Sequence, residues 1–307
     1  MSRLAFVFPG QGAQYPGMGR ELAENYPEAA QVFAQADEIA GFKLSDICFN
    51  GPAEQLNTTI YAQPALLTTN LAIHKVAQSK GLFPVMLAGL SLGEYSALIA
   101  AGSITFAQAL PLVQKRARLM QEAVPPDQGA MAAVLGLDNQ VVEDVCFKQH
   151  GIVSIANYNC PGQVVISGEK EAVLKASSIL KDAGGRIAPL AVSVPSHCQL
   201  MHEAAVQLTP YLTSIEWKQP KIDVVSNVNA QTNPSSLLAE MLARQLFLPV
   251  RWEQSIRYMM EKVDYFIEVG PGSSLSGLIK RIDKTRLLGQ IGDVASLEKV
   301  LAKVESL

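Results

Sequence analysis

The sequence has few charged residues, and the positive and negative ones nearly balance. Its 307 residues include 25 Lys and Arg against 28 Asp and Glu, for a formal net charge of −3. Proteins that bind nucleic acid usually carry a strongly basic surface, so this balance argues against nucleic acid as the main partner. Charged residues make up 17% and hydrophobic residues 49%, which is typical of a compact globular protein and excludes a disordered chain.

Cysteine is scarce and dispersed. The four cysteines lie far apart, without a Cys-X-X-Cys pair, at Cys48, Cys146, Cys160 and Cys198. This spacing indicates neither a disulfide framework nor a zinc site, so we expect the protein to bind no metal. Dispersed thiols also favour the reducing cytoplasm as the location.

Long apolar runs are absent. The apolar run at residues 4–8 is too short for a signal peptide, and polar residues interrupt every later window before it reaches membrane-spanning length. We therefore expect no association with a membrane. The length fits one large domain or a main domain that carries a smaller insert.

The most informative motif is Gly-X-Ser-X-Gly, from Gly89 to Gly93 with Ser91 at its centre. An apolar run at 85–88 predicts a buried strand before it, and residues 94–101 predict a helix after it. A serine on so tight a strand-to-helix turn exposes its hydroxyl, as in a nucleophile elbow. The alternative is a glycine-rich connection in which Ser91 only caps the helix.

The pattern of strands and helices predicts an α/β fold with two parts. In residues 1–126 and 197–307, strands alternate with helices, which indicates a mostly parallel sheet covered on both faces. Residues 127–196 have the order β-α-β-β-α-β, with the last strand at 186–194, and this order is ferredoxin-like. In the first part we expect one helical pattern over 20–40 and a helix over 65–80 that follows a break at Gln63-Pro64.

Arg116 is the most informative charged residue. At 100° per residue it falls within the apolar stripe of a predicted helix that runs toward Glu122, whereas Lys115 and Arg118 point away from that stripe. A guanidinium that faces the interior needs an anionic partner. The partner is either an internal Asp or Glu or the carboxylate of a substrate, unless the side chain extends along the stripe to water.

A serine nucleophile needs a base, and the sequence offers four histidines. His74 and His202 lie inside predicted helices, and His150 lies at a predicted helix end. His197 follows a rigid Pro-Ser pair in a turn, where a loop can orient an imidazole. It is either the base or a structural histidine at a helix start, and no nearby carboxylate is evident to orient it.

The assembled segments resemble the malonyl-CoA:acyl carrier protein transacylases of type II fatty acid synthesis and the related acyltransferase domains. The similarity covers nearly the whole chain. The segments that carry it, in order, are FVFPGQG, GPAEQLNTT, QPALLT, GLSLGEYSAL, KRARLMQEAVP, NCPGQVVISG, VSVPSHC, ARQLFLPVRW and EVGPG. The resemblance implies an α/β-hydrolase-like core with a ferredoxin-like inserted domain.

The resemblance also implies roles for particular residues. Ser91 matches the family's nucleophile and His197 its general base, which a carbonyl at the position of Gln245 holds in place of an aspartate. The backbone N–H groups of Gln11 and Leu92 match the oxyanion hole. Arg116 matches the residue that binds the malonyl carboxylate.

The activity implied is transfer of a malonyl group from coenzyme A to the phosphopantetheine thiol of acyl carrier protein, through an ester on Ser91. We expect a monomer that needs no cofactor apart from the coenzyme A thioester. Three alternatives stay open: a serine thioesterase or other hydrolase, an acyltransferase that acts in trans in a polyketide pathway, and a non-catalytic subunit that binds carrier protein. One departure is Leu90, since many relatives have histidine there, and we expect it to alter packing beside the elbow.

Overall fold

The computed structural model describes residues 2–190 and 194–307, which form two sheets. The strands, numbered in chain order, are β1 Leu4–Phe8, β2 Met86–Gly89, β3 Gly129–Leu135, β4 Val153–Cys160, β5 Gln163–Glu169, β6 Arg186–Pro189, β7 Asp223–Val225, β8 Tyr265–Val269 and β9 Leu287–Ile291. The helices are α1 Arg20–Asn25, α2 Pro27–Ala40, α3 Leu44–Asn50, α4 Ala53–Leu56, α5 Thr59–Ser79, α6 Leu92–Ala100, α7 Phe106–Glu122, α8 Asn139–Phe147, α9 Lys170–Asp182, α10 His202–Thr213, α11 Ser235–Gln245, α12 Trp252–Met260, α13 Ser274–Asp283 and α14 Val294–Glu305. Single 3₁₀ turns lie at Gln199–Met201 and Lys284–Arg286.

The larger sheet has five parallel strands in the order β7-β2-β1-β8-β9. Its central strand β1 is buried along its whole length. Phe6 and Phe8 pack into one hydrophobic cluster, whereas Ala5 and Val7 pack into a second cluster on the opposite face. Because both faces are covered, the strand is uniformly apolar, as expected for a parallel sheet between helical layers.

The smaller sheet has four antiparallel strands in the order β4-β5-β3-β6. With α8 and α9 between its strands, the chain order is β-α-β-β-α-β, so the predicted fold class is confirmed. The residues of α8 and α9 pack against one face of this sheet. The domain boundaries at 127 and 196 stay a prediction.

Backbone hydrogen bonds attach strand β4 of the smaller sheet to Val250, which lies between α11 and α12. Its N–H donates to the Ala156 carbonyl at 2.8 Å, and its own carbonyl accepts from the Tyr158 N–H at 2.9 Å. This parallel bridge attaches β4 to the segment that follows α11. The next residue, Arg251, donates its N–H to the carbonyl of Asn227, just beyond the carboxyl end of β7, at 2.9 Å. The smaller sheet is therefore attached beside the carboxyl end of that strand, the end at which ligands bind in open α/β sheets.

Three predicted elements differ from those observed. The break at Gln63-Pro64 is wrong, because α5 runs through Pro64. The carbonyl that loses its partner there belongs to Ile60, an exposed residue in the first turn of the helix, where water can replace the missing N–H. The pattern over 20–40 is two helices, with Pro27 at the start of the second, a position that proline favours.

The third difference concerns strands. Strand β9 was not predicted at all, and β6 ends at Pro189, with part of the predicted 186–194 strand lying outside the described residues. In the part of the chain that the structure describes, no helix has both the length and the apolar character needed to cross a bilayer.

Candidate active site

Ser91 lies on a strained turn between β2 and α6. Its φ of 52° and ψ of −105° are unusual for a residue with a side chain. The two glycines of the motif allow the tight crossing, because a Cβ on Gly89 would lie 1.9 Å from the carbonyl carbon of Gly93. A Cβ on Gly93 would lie 2.1 Å from the Phe8 oxygen in β1. The strand-turn-helix context predicted for the elbow is confirmed.

Asn227, just beyond the carboxyl end of β7, holds both sides of this turn. Its Oδ1 accepts a hydrogen bond from the Ser91 N–H at 2.7 Å, and its Nδ2 donates to the Gly89 carbonyl at 2.7 Å. Buried backbone groups that a strained turn cannot pair internally are thereby satisfied. Asn227 was not predicted from the sequence, although its place after a strand of the parallel sheet is a signal for a site residue.

His197 faces Ser91 across the cavity. Its Nε2 lies 2.9 Å from the Ser91 Oγ, and its Nδ1 lies 2.7 Å from the backbone oxygen of Gln245. A carbonyl only accepts hydrogen bonds, so Nδ1 carries the proton and Nε2 is free to accept from the serine hydroxyl. The backbone of His197 is itself held by a 2.9 Å bond to the Leu246 carbonyl, with φ at 60°.

The environment keeps His197 neutral. Its pKa is lowered to about 4, mainly by burial and also by the positive charge of Arg116, while the hydrogen bond to the Gln245 carbonyl partly opposes both effects. A neutral imidazole is the form that accepts a proton. The ring is therefore ready to act as a base over the whole neutral range.

Arg116 lies in the interior, as predicted from the helical wheel. It is 1% exposed, whereas Arg118 is exposed on the other side of α7. Its Nη2 donates to the Ser91 Oγ at 3.1 Å and to the Gln245 Oε1 at 3.0 Å, and its Nη1 donates to the Gln63 Oε1 at 2.5 Å. The contact with Ser91 was not predicted.

The side chains that bond to Arg116 are all neutral. None of the ion pairs found within residues 2–190 and 194–307 includes it. Its guanidinium also lies over the ring of Tyr95, 5.5 Å from the centroid. Burial lowers the pKa of Arg116, while Tyr95 and Glu94 act in the opposite direction. A buried cation with only neutral hydrogen-bond partners can still receive an anion.

The other three histidines lie elsewhere. His74 packs edge-on against Phe6 and Phe8, His202 packs against Phe247, and His150 is exposed. The structure thus brings together the predicted Ser91 and His197 and leaves the remaining histidines apart from them.

A cavity of about 380 Å³ opens in front of Ser91, between the two sheets. The elbow, Arg116 and His197 form its floor, and Met131, Ala133 and Val165 of the smaller sheet form part of the opposite wall. Its size is within the range of small-molecule sites. Leu90 lines the cavity and packs against the cluster around Val7.

Gln11 and Leu92 also line this cavity. Leu92 is the first residue of α6, so its N–H has no acceptor within the helix. Gln11 lies in the turn after β1, and its side chain is tied to Thr59 by a 3.1 Å hydrogen bond. An oxyanion hole uses one N–H just after the elbow and a second from a distant turn, and that role for Leu92 and Gln11 stays a prediction.

Comparisons with known proteins agree with this geometry. The family described as acyl transferase domain matches residues 5–293. A malonyl CoA-acyl carrier protein transacylase from Escherichia coli strain K12 is 46% identical over 308 aligned positions, which cover 98% of this chain and 99% of the relative.

Two solved structures are also similar over nearly the full length. An acyl carrier protein S-malonyltransferase from Vibrio cholerae is 47% identical with a TM-score of 0.93, and the match covers 97% of this chain and 100% of the other. A malonyl-transacylase in complex with a type II PKS acyl-carrier protein is 47% identical with a TM-score of 0.95, covering 98% of this chain and 99% of the other.

Proposed function

The chain belongs to the acyl transferase domain family, and from this premise we propose that it transfers a malonyl group from coenzyme A to acyl carrier protein. The acceptor is the phosphopantetheine thiol of the carrier, and the reaction supplies malonyl groups for fatty acid biosynthesis. Its relatives carry the name malonyl CoA-acyl carrier protein transacylase. The observation that carries the proposal is the contact of one hydroxyl, on Ser91, with an imidazole at 2.9 Å and a guanidinium at 3.1 Å.

In the first half-reaction, Ser91 becomes acylated. The His197 Nε2 accepts the hydroxyl proton as the Ser91 oxygen attacks the thioester carbonyl carbon. The carbon–sulfur bond then breaks, the coenzyme A sulfur leaves, and the proton passes from Nε2 to that sulfur. The Gln245 carbonyl, 2.7 Å from Nδ1, holds the ring in the required tautomer and stabilises the imidazolium.

The oxyanion hole and Arg116 bind the two negatively charged parts of the substrate in this step. The backbone N–H groups of Gln11 and Leu92 donate hydrogen bonds to the oxyanion of the tetrahedral intermediate. The Arg116 guanidinium binds the free carboxylate of the malonyl group, since its planar shape suits two parallel hydrogen bonds. An acetyl group offers no carboxylate and leaves the buried guanidinium without an anion, which is the basis of selectivity.

In the second half-reaction the carrier's thiol takes the place of coenzyme A. His197 accepts the thiol proton, the sulfur attacks the ester carbon, and the Ser91 oxygen leaves and regains a proton. Every proton and bond in the cycle is accounted for by the protein and its two substrates. We therefore propose that no cofactor is needed beyond the coenzyme A thioester.

The location proposed for the protein is the cytoplasm. All four cysteines are free thiols, and each of them is buried. Separate reduced thiols are usual in a reducing compartment.

The test is intact-mass spectrometry after brief exposure to malonyl-CoA. We expect a mass increase of one malonyl group on the wild-type protein, its absence in Ser91→Ala, and its loss when holo acyl carrier protein is added. Malonyl carrier protein should form in equal amount. If the protein releases free malonate from malonyl-CoA equally fast with and without acyl carrier protein, it is a hydrolase and the transferase proposal fails.

A carrier protein of polyketide synthesis is the second candidate acceptor. It is favoured by the similarity to a transacylase that was solved with a type II PKS acyl-carrier protein. The chemistry on Ser91 is the same in both cases. The ratio of kcat/KM for a fatty-acid carrier to that for a polyketide carrier distinguishes the two, and a ratio below one would favour the polyketide role.

A further inference from the structure

A buried carboxylate lies behind the elbow, in a place the mechanism above does not use. Glu94 is the third residue of α6 and is 2% exposed. Its Oε2 accepts a hydrogen bond from the Gln245 Nε2 at 2.7 Å and one from the Asn227 backbone N–H at 3.2 Å. Burial of a carboxylate is costly even when it is hydrogen-bonded, so a glutamate at this position needs a reason.

The Gln245 carboxamide connects Glu94 to the reacting groups. Its Nε2 donates to Glu94 and also to the Ser91 backbone oxygen at 3.0 Å. Its Oε1 accepts from the Arg116 Nη2 at 3.0 Å. If the amide were turned over, its oxygen would face two acceptors and its NH₂ group would face a guanidinium, which has only donors. An ionised Glu94 therefore fixes the end of the amide that meets Arg116.

The Glu94 carboxyl and the Arg116 guanidinium also interact electrostatically, and each shifts the pKa of the other toward its charged form. Burial raises the pKa of Glu94, whereas the hydrogen bonds from Gln245 and Asn227 and the charge of Arg116 oppose that rise. The arrangement differs from a direct ion pair in one useful way. A direct pair would occupy the guanidinium with a protein carboxylate, but the intervening amide leaves it available to an anion in the cavity.

We propose that Glu94 is a positioning residue, which holds the Gln245 carboxamide and through it directs the Arg116 guanidinium toward the acyl carboxylate. This inference rests on the proposed function. It assigns to Glu94 an effect on the binding of malonyl groups and no contact with the substrate. A purely structural role at the elbow would affect every acyl group alike.

The test compares two acyl donors on the same protein preparation. Glu94→Gln keeps the shape and removes the charge. We expect it to raise KM for malonyl-CoA about tenfold, which corresponds to about 1.4 kcal/mol. We expect kcat for malonyl-CoA, and kcat/KM for the slow transfer of acetyl groups, to stay within about threefold of wild type. The ratio of the two kcat/KM values does not depend on the fraction of folded protein.

Glu268→Gln is the matched control. Glu268 is 0% exposed and accepts backbone hydrogen bonds from Leu275 and Ser276, and within the described residues it has no hydrogen bond to Gln245 or Arg116. We expect this variant to shift the unfolding midpoint without changing the malonyl-to-acetyl ratio. Glu94→Asp is the second test variant, because its carboxylate is too short to reach the Gln245 Nε2 and should also raise KM for malonyl-CoA.

The possible outcomes separate the two proposals. If wild-type protein forms no malonyl ester, the proposed function fails. If wild type forms the ester and both Glu94 variants keep the wild-type malonyl-to-acetyl ratio, the positioning role is overturned while the transferase function stands. Equal losses for the two donors would likewise reduce Glu94 to a structural residue of the elbow.

Discussion

Substitution of Arg116 is the sharpest test of how the site chooses its acyl group. Arg116→Met keeps most of the buried volume and removes the charge. Loss of one side of a buried, hydrogen-bonded charge pair costs about 3–5 kcal/mol, so kcat/KM for malonyl-CoA should fall by roughly 200-fold to several thousandfold. The acetyl group offers no carboxylate to the guanidinium, so the acetyl reaction loses only the 3.1 Å contact in which Arg116 donates to the Ser91 Oγ. Since that hydrogen bond occupies the nucleophile, its loss should not lower kcat/KM for acetyl-CoA.

The malonyl-to-acetyl ratio of kcat/KM should therefore fall by about 200-fold or more in Arg116→Met. The assay is transfer from each coenzyme A thioester to holo acyl carrier protein under single-substrate conditions. Arg118→Met is the control, because Arg118 is an exposed residue of the same helix, and its ratio should match wild type. An equal loss for both donors in Arg116→Met would refute the assignment of Arg116 to the carboxylate.

Three further predictions concern His197, the elbow glycine Gly93, and Asn227, which forms hydrogen bonds to both sides of the elbow. Because the pKa of His197 is lowered to about 4, kcat/KM for malonyl-CoA should be constant at neutral pH and decline only near pH 4; a midpoint near pH 6.5 in the pH–rate profile would contradict this. The same shift leaves the free energy of unfolding unchanged above pH 6.5 and lowers it as the pH falls from about 6.5 to about 4, because the unfolded chain binds the proton more readily than the folded one. Gly93→Ala should not give folded protein, because its Cβ would lie 2.1 Å from the Phe8 oxygen, and a wild-type circular dichroism melt would disprove that reasoning. Asn227→Ala removes two hydrogen bonds of 2.7 Å at the Ser91 turn, so kcat should fall at least tenfold, and a kcat equal to wild type would show that the turn holds without it.

Local patterns predicted the parts of this molecule that depend on local physics. The elbow could be predicted because a buried strand, two glycines and a helix are adjacent in sequence, and the burial of Arg116 could be predicted from the helical period. The partners of these residues could not. Asn227 and Gln245 reach Ser91 from 136 and 154 positions away, and only the packing of β7 and α11 against the elbow brings them there. The break at Pro64 could not be judged from local sequence, because the cost of a proline inside a helix depends on whether the carbonyl four residues earlier, here that of the exposed Ile60, can reach water.

Under the proposed function, the contact between Arg116 and Ser91 links the choice of acyl group to the reactivity of the nucleophile. In the protein without substrate, one Nη2 group serves both the Ser91 Oγ, at 3.1 Å, and the Gln245 Oε1, at 3.0 Å. Under the proposed function, a malonyl carboxylate competes for this donor, because a charged acceptor forms a stronger hydrogen bond than a neutral hydroxyl. The Ser91 oxygen would then lose a donor when the correct substrate is bound, which leaves its lone pairs available for attack. Since acetyl-CoA brings no such acceptor, the guanidinium discriminates against it twice, once in binding and once in the reactivity of the serine.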